Sequence, residues 1–100
     1  MAISARLVVK PTEALLEVLK SRLRPRVVKD FNGAGALLLI QGAVVDVLAA
    51  IDVATKASNV KASEVVGNCP QQLNTVVFWG SVSDVKQALS ALKEWGDVKP

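Results

Sequence analysis

Ile3, Ala5, Leu7 and Val9 alternate with Ser4, Arg6, Val8 and Lys10, the twofold period of a strand with one wetter face. Pro11 has no N–H to offer a ladder, and Thr12 stands before Leu15, Leu16, Leu19 and Leu23, which share one side of a short capped helix. Ser21 to Arg26 is basic and broken by Pro25, so it reads as the helix end and a connector to Val27 and Val28; Asn32 to Gly35 then punctuates the chain. Ala36-Leu37-Leu38-Leu39-Ile40 is too short and too uniformly apolar for a surface element, which predicts a buried central strand. From Ala43 to Ala57 polar residues are few. Ala43, Ala49, Ala50, Ala54 and Ala57 predict a helix that packs on the sheet and also lets a neighbour approach closely on a second face.

Val60 to Val66 has strand character, Gly67 to Gln72 has turn character, and Leu73 to Trp79 resumes a strand rich in β-branched and aromatic residues, together a hairpin. Gly80 closes it, Ser81 or Ser83 can cap a last helix, and Val85, Ala88, Leu89 and Leu92 form its apolar stripe. Gly96 and Pro100 stop that helix. The order strand, helix, strand, helix, strand, strand, helix predicts an α/β sandwich, without internal repeat or low-complexity segment.

Composition narrows the functional classes. Half the residues are apolar (51%) and only 4% aromatic, a mixture of Ala, Val and Leu that suits close helix packing and large subunit interfaces. The formal charge of +3 does not by itself imply a nucleic acid partner, and Arg22, Arg24, Arg26 and Lys29 have no aromatic platform beside them, so they read as a solvated connector. No signal-like N-terminal segment opens the chain, and Gln41, Asp46 and Asp52 interrupt its longest apolar stretch, so no membrane partner is expected and the location is read as cytoplasmic. Trp79, Trp95, Phe31 and Phe78 are expected to be packing residues rather than ligand platforms.

The chemistry concentrates in Gly67-Asn68-Cys69-Pro70-Gln71, which holds the one cysteine of the chain. A single thiol closes no intrachain disulfide and falls short of the four that an iron–sulfur cluster usually takes, unless symmetric copies bring several to one axis. Gly67 permits backbone conformations closed to other residues, and Pro70 biases Cys69 toward extended geometry. Asn68 and Gln71 offer amide donors to sulfide or thiolate. The plainer alternative is an idle or buried thiol, which behaves as a small hydrophobe. There is no histidine and no base partner for Cys69 at a recognisable spacing, so the chain is not expected to be an enzyme.

The run from Gly35 through Leu92 resembles the bacterial microcompartment shell (BMC) domain. Ala50-Ile51-Asp52-Val53-Ala54-Thr55-Lys56-Ala57-Ser58-Asn59-Val60 looks like that family's passage from helix to strand. Thr75-Val76-Val77-Phe78-Trp79-Gly80-Ser81-Val82 looks like the strand and turn that open its last core helix. The family's closing strand, basic-Pro turn and terminal helix resemble Ala5 to Glu13 instead of anything after Trp95, which implies a circularly permuted member. Gly-x-Cys-Pro-Gln in the matching loop resembles the iron–sulfur pore motif of the GrpU type, from glycyl-radical propanediol microcompartments.

The resemblance implies that residues 1–100 form one circularly permuted BMC shell domain of ferredoxin-like α/β sandwich type. It implies a homohexameric tile that meets other shell proteins, with encapsulated redox enzymes as further partners and electron transfer or cluster delivery as the role. Cys69 would ligate iron in a pore loop with Gly67, Asn68, Pro70 and Gln71. The implied cofactor is an iron–sulfur cluster, of [4Fe–4S] type, shared across the ring; symmetry then suggests three alternate Cys69 thiolates on three irons, with a further thiolate, water or another axial ligand on the fourth, and air-purified protein is expected to be largely cluster-free. Lys56 and Lys10 match the family's shell-edge positions; their plainer reading is solvated lysines near a helix end and a turn. A cluster-free metabolite pore lined by Asn68, Cys69 and Gln71 is the first alternative, and a small metabolite-binding regulatory α/β module is the second. The long N-terminal extension of several permuted relatives is not matched here, which implies an uncapped or differently covered pore.

Overall fold

The computed structural model describes residues 2–31, 33–66 and 73–99, and of residues 26, 29 and 30 the backbone alone. The elements are β1 (Ala2–Val9), α1 (Glu13–Arg22), α2 (Pro25–Phe31), β2 (Ala36–Ala43), α3 (Val44–Ala57), β3 (Lys61–Glu64), β4 (Leu73–Gly80), α4 (Val82–Trp95) and β5 (Asp97–Lys99). The strands form one sheet in the order β3-β4-β2-β1-β5. All neighbours are antiparallel except β1 and β5, which run parallel with Ala2 opposite Asp97 and Ser4 opposite Lys99.

The apolar run read as a central strand lies in the middle of the sheet as β2. Alternation sends Ala36, Leu38 and Ile40 into the core under α3 and α4, while Leu37 enters the core under α1 and α2. All four are at most 1% exposed. Each fully buried leucine or isoleucine contributes about 1.5–3 kcal/mol of transfer free energy, so this strand anchors both layers.

Thr12 caps α1 as the sequence predicts: its Oγ1 accepts from the Leu15 N–H at 3.3 Å. Ser81, rather than Ser83, caps α4. Its Oγ accepts from the Asp84 N–H at 3.1 Å and donates to the Asp84 carboxylate at 2.8 Å. Of the α4 stripe, Val85, Ala88 and Leu92 are fully buried.

Two elements go beyond the predicted order. The segment read as a connector after Pro25 is helix α2, because proline is favoured at a helix's first position, where its missing N–H costs nothing. Phe31 closes that helix at 0% exposure, its ring meeting Trp79 edge-on at 5.3 Å. Gly33, at φ 80°, then turns the chain into β2, a conformation that side-chain-bearing residues resist. Beyond Gly96 the three residues of β5 add a strand beside β1.

Phe31, Phe78 and Trp79 are packing residues, as read from the sequence, and Trp95 packs against the larger core. Arg22 and Arg24 are exposed, whereas the side chains of Arg26 and Lys29 lie outside the described set. Among the described residues, no helix is long and apolar enough to cross a membrane.

Candidate functional site

Residues Gly67, Asn68, Cys69, Pro70 and Gln71 lie outside the described residues. The frame that carries them is defined on both sides. β3 and β4 are antiparallel partners, with Lys61 opposite Trp79 and Glu64 opposite Val76, so residues 67–72 join the two strands of a hairpin. The near side is pinned by two backbone bonds, from Val65 N to Thr75 O and from Val66 N to Arg22 O, each 2.8 Å. On the far side, Leu73 pairs with Ala43, the residue before α3.

That register brings the start of α3 and both ends of the hairpin to one end of the sheet. Here the surface turns apolar: Val44 is 39% exposed, Val45 74%, Leu48 45% and Val66 55%. Exposed apolar side chains gathered at one end of a small domain make that end a candidate interface. The sequence placed a second, neighbour-facing surface of this helix on Ala43, Ala49, Ala50, Ala54 and Ala57, and the structure divides that set. Ala50 and Ala54 are 0% exposed, in register with Val47 against the core, while Ala43 and Ala49 face outward with Val44, Val45 and Leu48. The signal was available in the helical phase, because Val47, Ala50 and Ala54 recur at intervals of three and four.

The two lysines sit at the opposite end of the sheet. Lys56 occupies the last turn of α3, where a cation suits the helix dipole, and its Nζ lies 2.7 Å from Asp52 Oδ2 with both side chains largely exposed. Such an exposed i, i+4 pair contributes only about 0.3–0.5 kcal/mol, so the head group is orientated more than it is held. The helix end beneath it is firmer: Gln87 Nε2 donates to Ala57 O at 2.8 Å, and Ser58 Oγ to Asp84 O at 2.7 Å. Lys10 is exposed in the turn after β1 with φ 52°, its N–H bonded to Gly35 O at 2.9 Å. The molecule is therefore polarised, with an apolar hairpin end and an end that presents Lys10 and Lys56.

Among the described residues, no three acidic, histidine or cysteine side chains are grouped so as to hold a metal ion. Residues 36–99 match the BMC domain family.

The chain belongs to the BMC domain family. Its fold is similar to that of the GrpU microcompartment shell protein from Pectobacterium wasabiae in its ligand-free structure, with a TM-score of 0.67 and 28% identity, covering 89% of this chain and 98% of that one. It is also similar to the fused permuted hexameric shell protein MSM0275 from the RMM microcompartment, with a TM-score of 0.67 and 20% identity, covering 92% of this chain and 44% of that one. No curated protein matches it in sequence.

Membership accounts for the architecture: β1 and α1 stand before the matched region, which gives the circularly permuted order of the BMC fold. It makes the chain a structural component of a bacterial microcompartment shell, a cytoplasmic body, and not an enzyme.

Proposed function

We propose that residues 1–100 form a single permuted BMC domain that assembles as a homohexameric tile, with the Gly67 to Gln71 loop of each copy at a central pore. The tile packs among other shell proteins, and Lys10 and Lys56 meet neighbouring tiles along the rim. Cys69 binds an iron–sulfur cluster of the [4Fe–4S] type shared between copies. The observation that carries this reading is a Cys-Pro motif in the β3–β4 hairpin of a BMC domain, at the end of the molecule where Val44, Val45, Leu48 and Val66 are exposed.

The donor set fits a shared group and no private one. A chain with one cysteine and no histidine supplies too few ligands alone, whereas a ring of copies supplies more thiolates than a cluster needs. A proline after Cys69 narrows the backbone choices of that residue, and the amides of Asn68 and Gln71 would be available as donors to cluster sulfur. When bound, such a cluster would relay single electrons across the shell or serve as cargo for redox enzymes inside. The likeness to the GrpU microcompartment shell protein supports the shell-tile part of this reading.

Iron and acid-labile sulfide per ring, measured on strictly anaerobic protein with visible and paramagnetic resonance spectra, test it in wild type beside Cys69→Ser. Roughly four irons per ring that disappear in the variant support the cluster. Intact rings without iron in either protein leave a cluster-free metabolite pore.

A further inference from the structure

The two flanks of the sheet are open and differ in character. On one side α4 overlies the β1–β5 edge, and between them runs a groove of about 260 Å³ floored by Leu7, Leu89 and Val98 and ringed by Arg6, Lys93 and Lys99. β5 pairs only with Ala2, Ile3 and Ser4, so the edge of β1 beyond Ser4 has no strand partner among the described residues. Asp97, the acidic group of this edge, already lies 4.0 Å from Lys99. The groove is therefore apolar at its floor and cationic at its rim.

The other flank is built from α3 and β3. Val44, Leu48 and Ile51 follow one another along a single side of α3, and Ile51 lines a cleft of about 400 Å³ with Ala62 and Glu64. Arg24 closes this cleft at its α2 rim. Glu64 and Lys93 are both exposed, and neither takes part in an ion pair among the described residues.

A closed ring needs a heterologous contact, in which two different surfaces of each copy meet. Pairing the groove with itself would set Arg6, Lys93 and Lys99 against their own copies, and like charges across an interface select against that partner. We propose that the α4/β1–β5 groove of one copy receives the α3–β3 flank of the next, with Glu64 facing Lys93. This rests on the ring reading above and names the surfaces that make the ring.

Rotation about a ring axis preserves distance from that axis, so a residue on one flank meets the level of the other flank that lies equally far out. Glu64 pairs with Val76, Val76 with Ile40, and Ile40 with Ala5, which puts Glu64 level with the part of β1 that walls the groove. Glu64 also shares its side of the sheet with Ala62, and so with α4 and Lys93. With extents of 33 × 32 × 22 Å, a flank offers an area on the order of the ~800 Å² per partner that a stable interface takes.

Native mass spectrometry and sedimentation across a dilution series test the pairing in wild type, Lys93→Glu, Glu64→Lys and the double variant, with circular dichroism to confirm folding. Each single reversal is expected to move ring dissociation to at least about tenfold higher protein concentration, and the double reversal to restore it. Wild-type rings with no sensitivity to either reversal, or single losses that the double variant does not rescue, overturn the flank pairing and leave the ring standing. A wild type that never assembles overturns the ring reading and the pairing with it.

Discussion

Removing the Phe31 ring tests whether α2 is a fixed cover of the sheet. Phe31 is 0% exposed and packs with Leu19, Leu23, Leu37, Val77 and Trp79. Transfer of a buried phenylalanine side chain is worth about 1.5–3 kcal/mol. The residual cavity adds about 24 cal/mol per Å³ that neighbours fail to fill, and an aromatic pair adds about 0.5–1.5 kcal/mol. Phe31→Ala is therefore expected to cost about 3–5 kcal/mol, a large share of the ~5–15 kcal/mol that holds such a domain. Phe31→Leu keeps the apolar bulk and loses the edge contact, so about 1.5 kcal/mol is expected. Urea unfolding followed by tryptophan fluorescence measures both, at one fixed protein concentration because assembly adds to apparent stability. A loss below about 1 kcal/mol in the alanine variant would refute the packing argument, since no cavity term survives at that size.

Ser81→Ala removes the α4 cap that the Asp84 N–H and carboxylate share; thermal or urea unfolding should show a loss of about 1 kcal/mol, within a range of 0.5–2. Lys10→Gly relieves a left-handed backbone that costs an L-residue about 1–2 kcal/mol. Part of that gain is offset by glycine's freer unfolded chain, so unfolding should show a net stabilisation of up to about 1 kcal/mol, while lateral packing of tiles, seen by electron microscopy of sheets, should weaken.

The elements that could be read from sequence are those whose pattern is set by burial on one or two faces. β2 announced itself because both faces are covered, and α4 because Val85, Ala88 and Leu92 meet a single core. α2 was hidden because Pro25 acts as a starter in one context and a breaker in another, and only the docking of Phe31 on Trp79 decides between them. β5 is too short for any period, and its partner β1 lies at the far end of the sequence. On the site, the place of the Cys69 motif between two strands was legible, because β3 and β4 pair on either side of it. The outward side of α3 was read only in part, because alanine fits a core and an interface equally well: Ala43 and Ala49 face outward, Ala50 and Ala54 face the core, and only the phase of Val47 separates them.

The parallel pairing of β1 with β5 also dictates an order of events. Ala2 leaves the ribosome well before its partner Asp97, which lies almost the whole length of this segment later. β1 can zip onto β2 once that strand emerges, but its outer edge waits until synthesis of this segment is nearly done. Contacts between such distant residues are slow to form, because the intervening chain must be ordered before they bring any gain. Pairing of β5 with β1 is therefore expected among the late steps of folding, so the groove beside α4 takes its shape after β1 has joined β2.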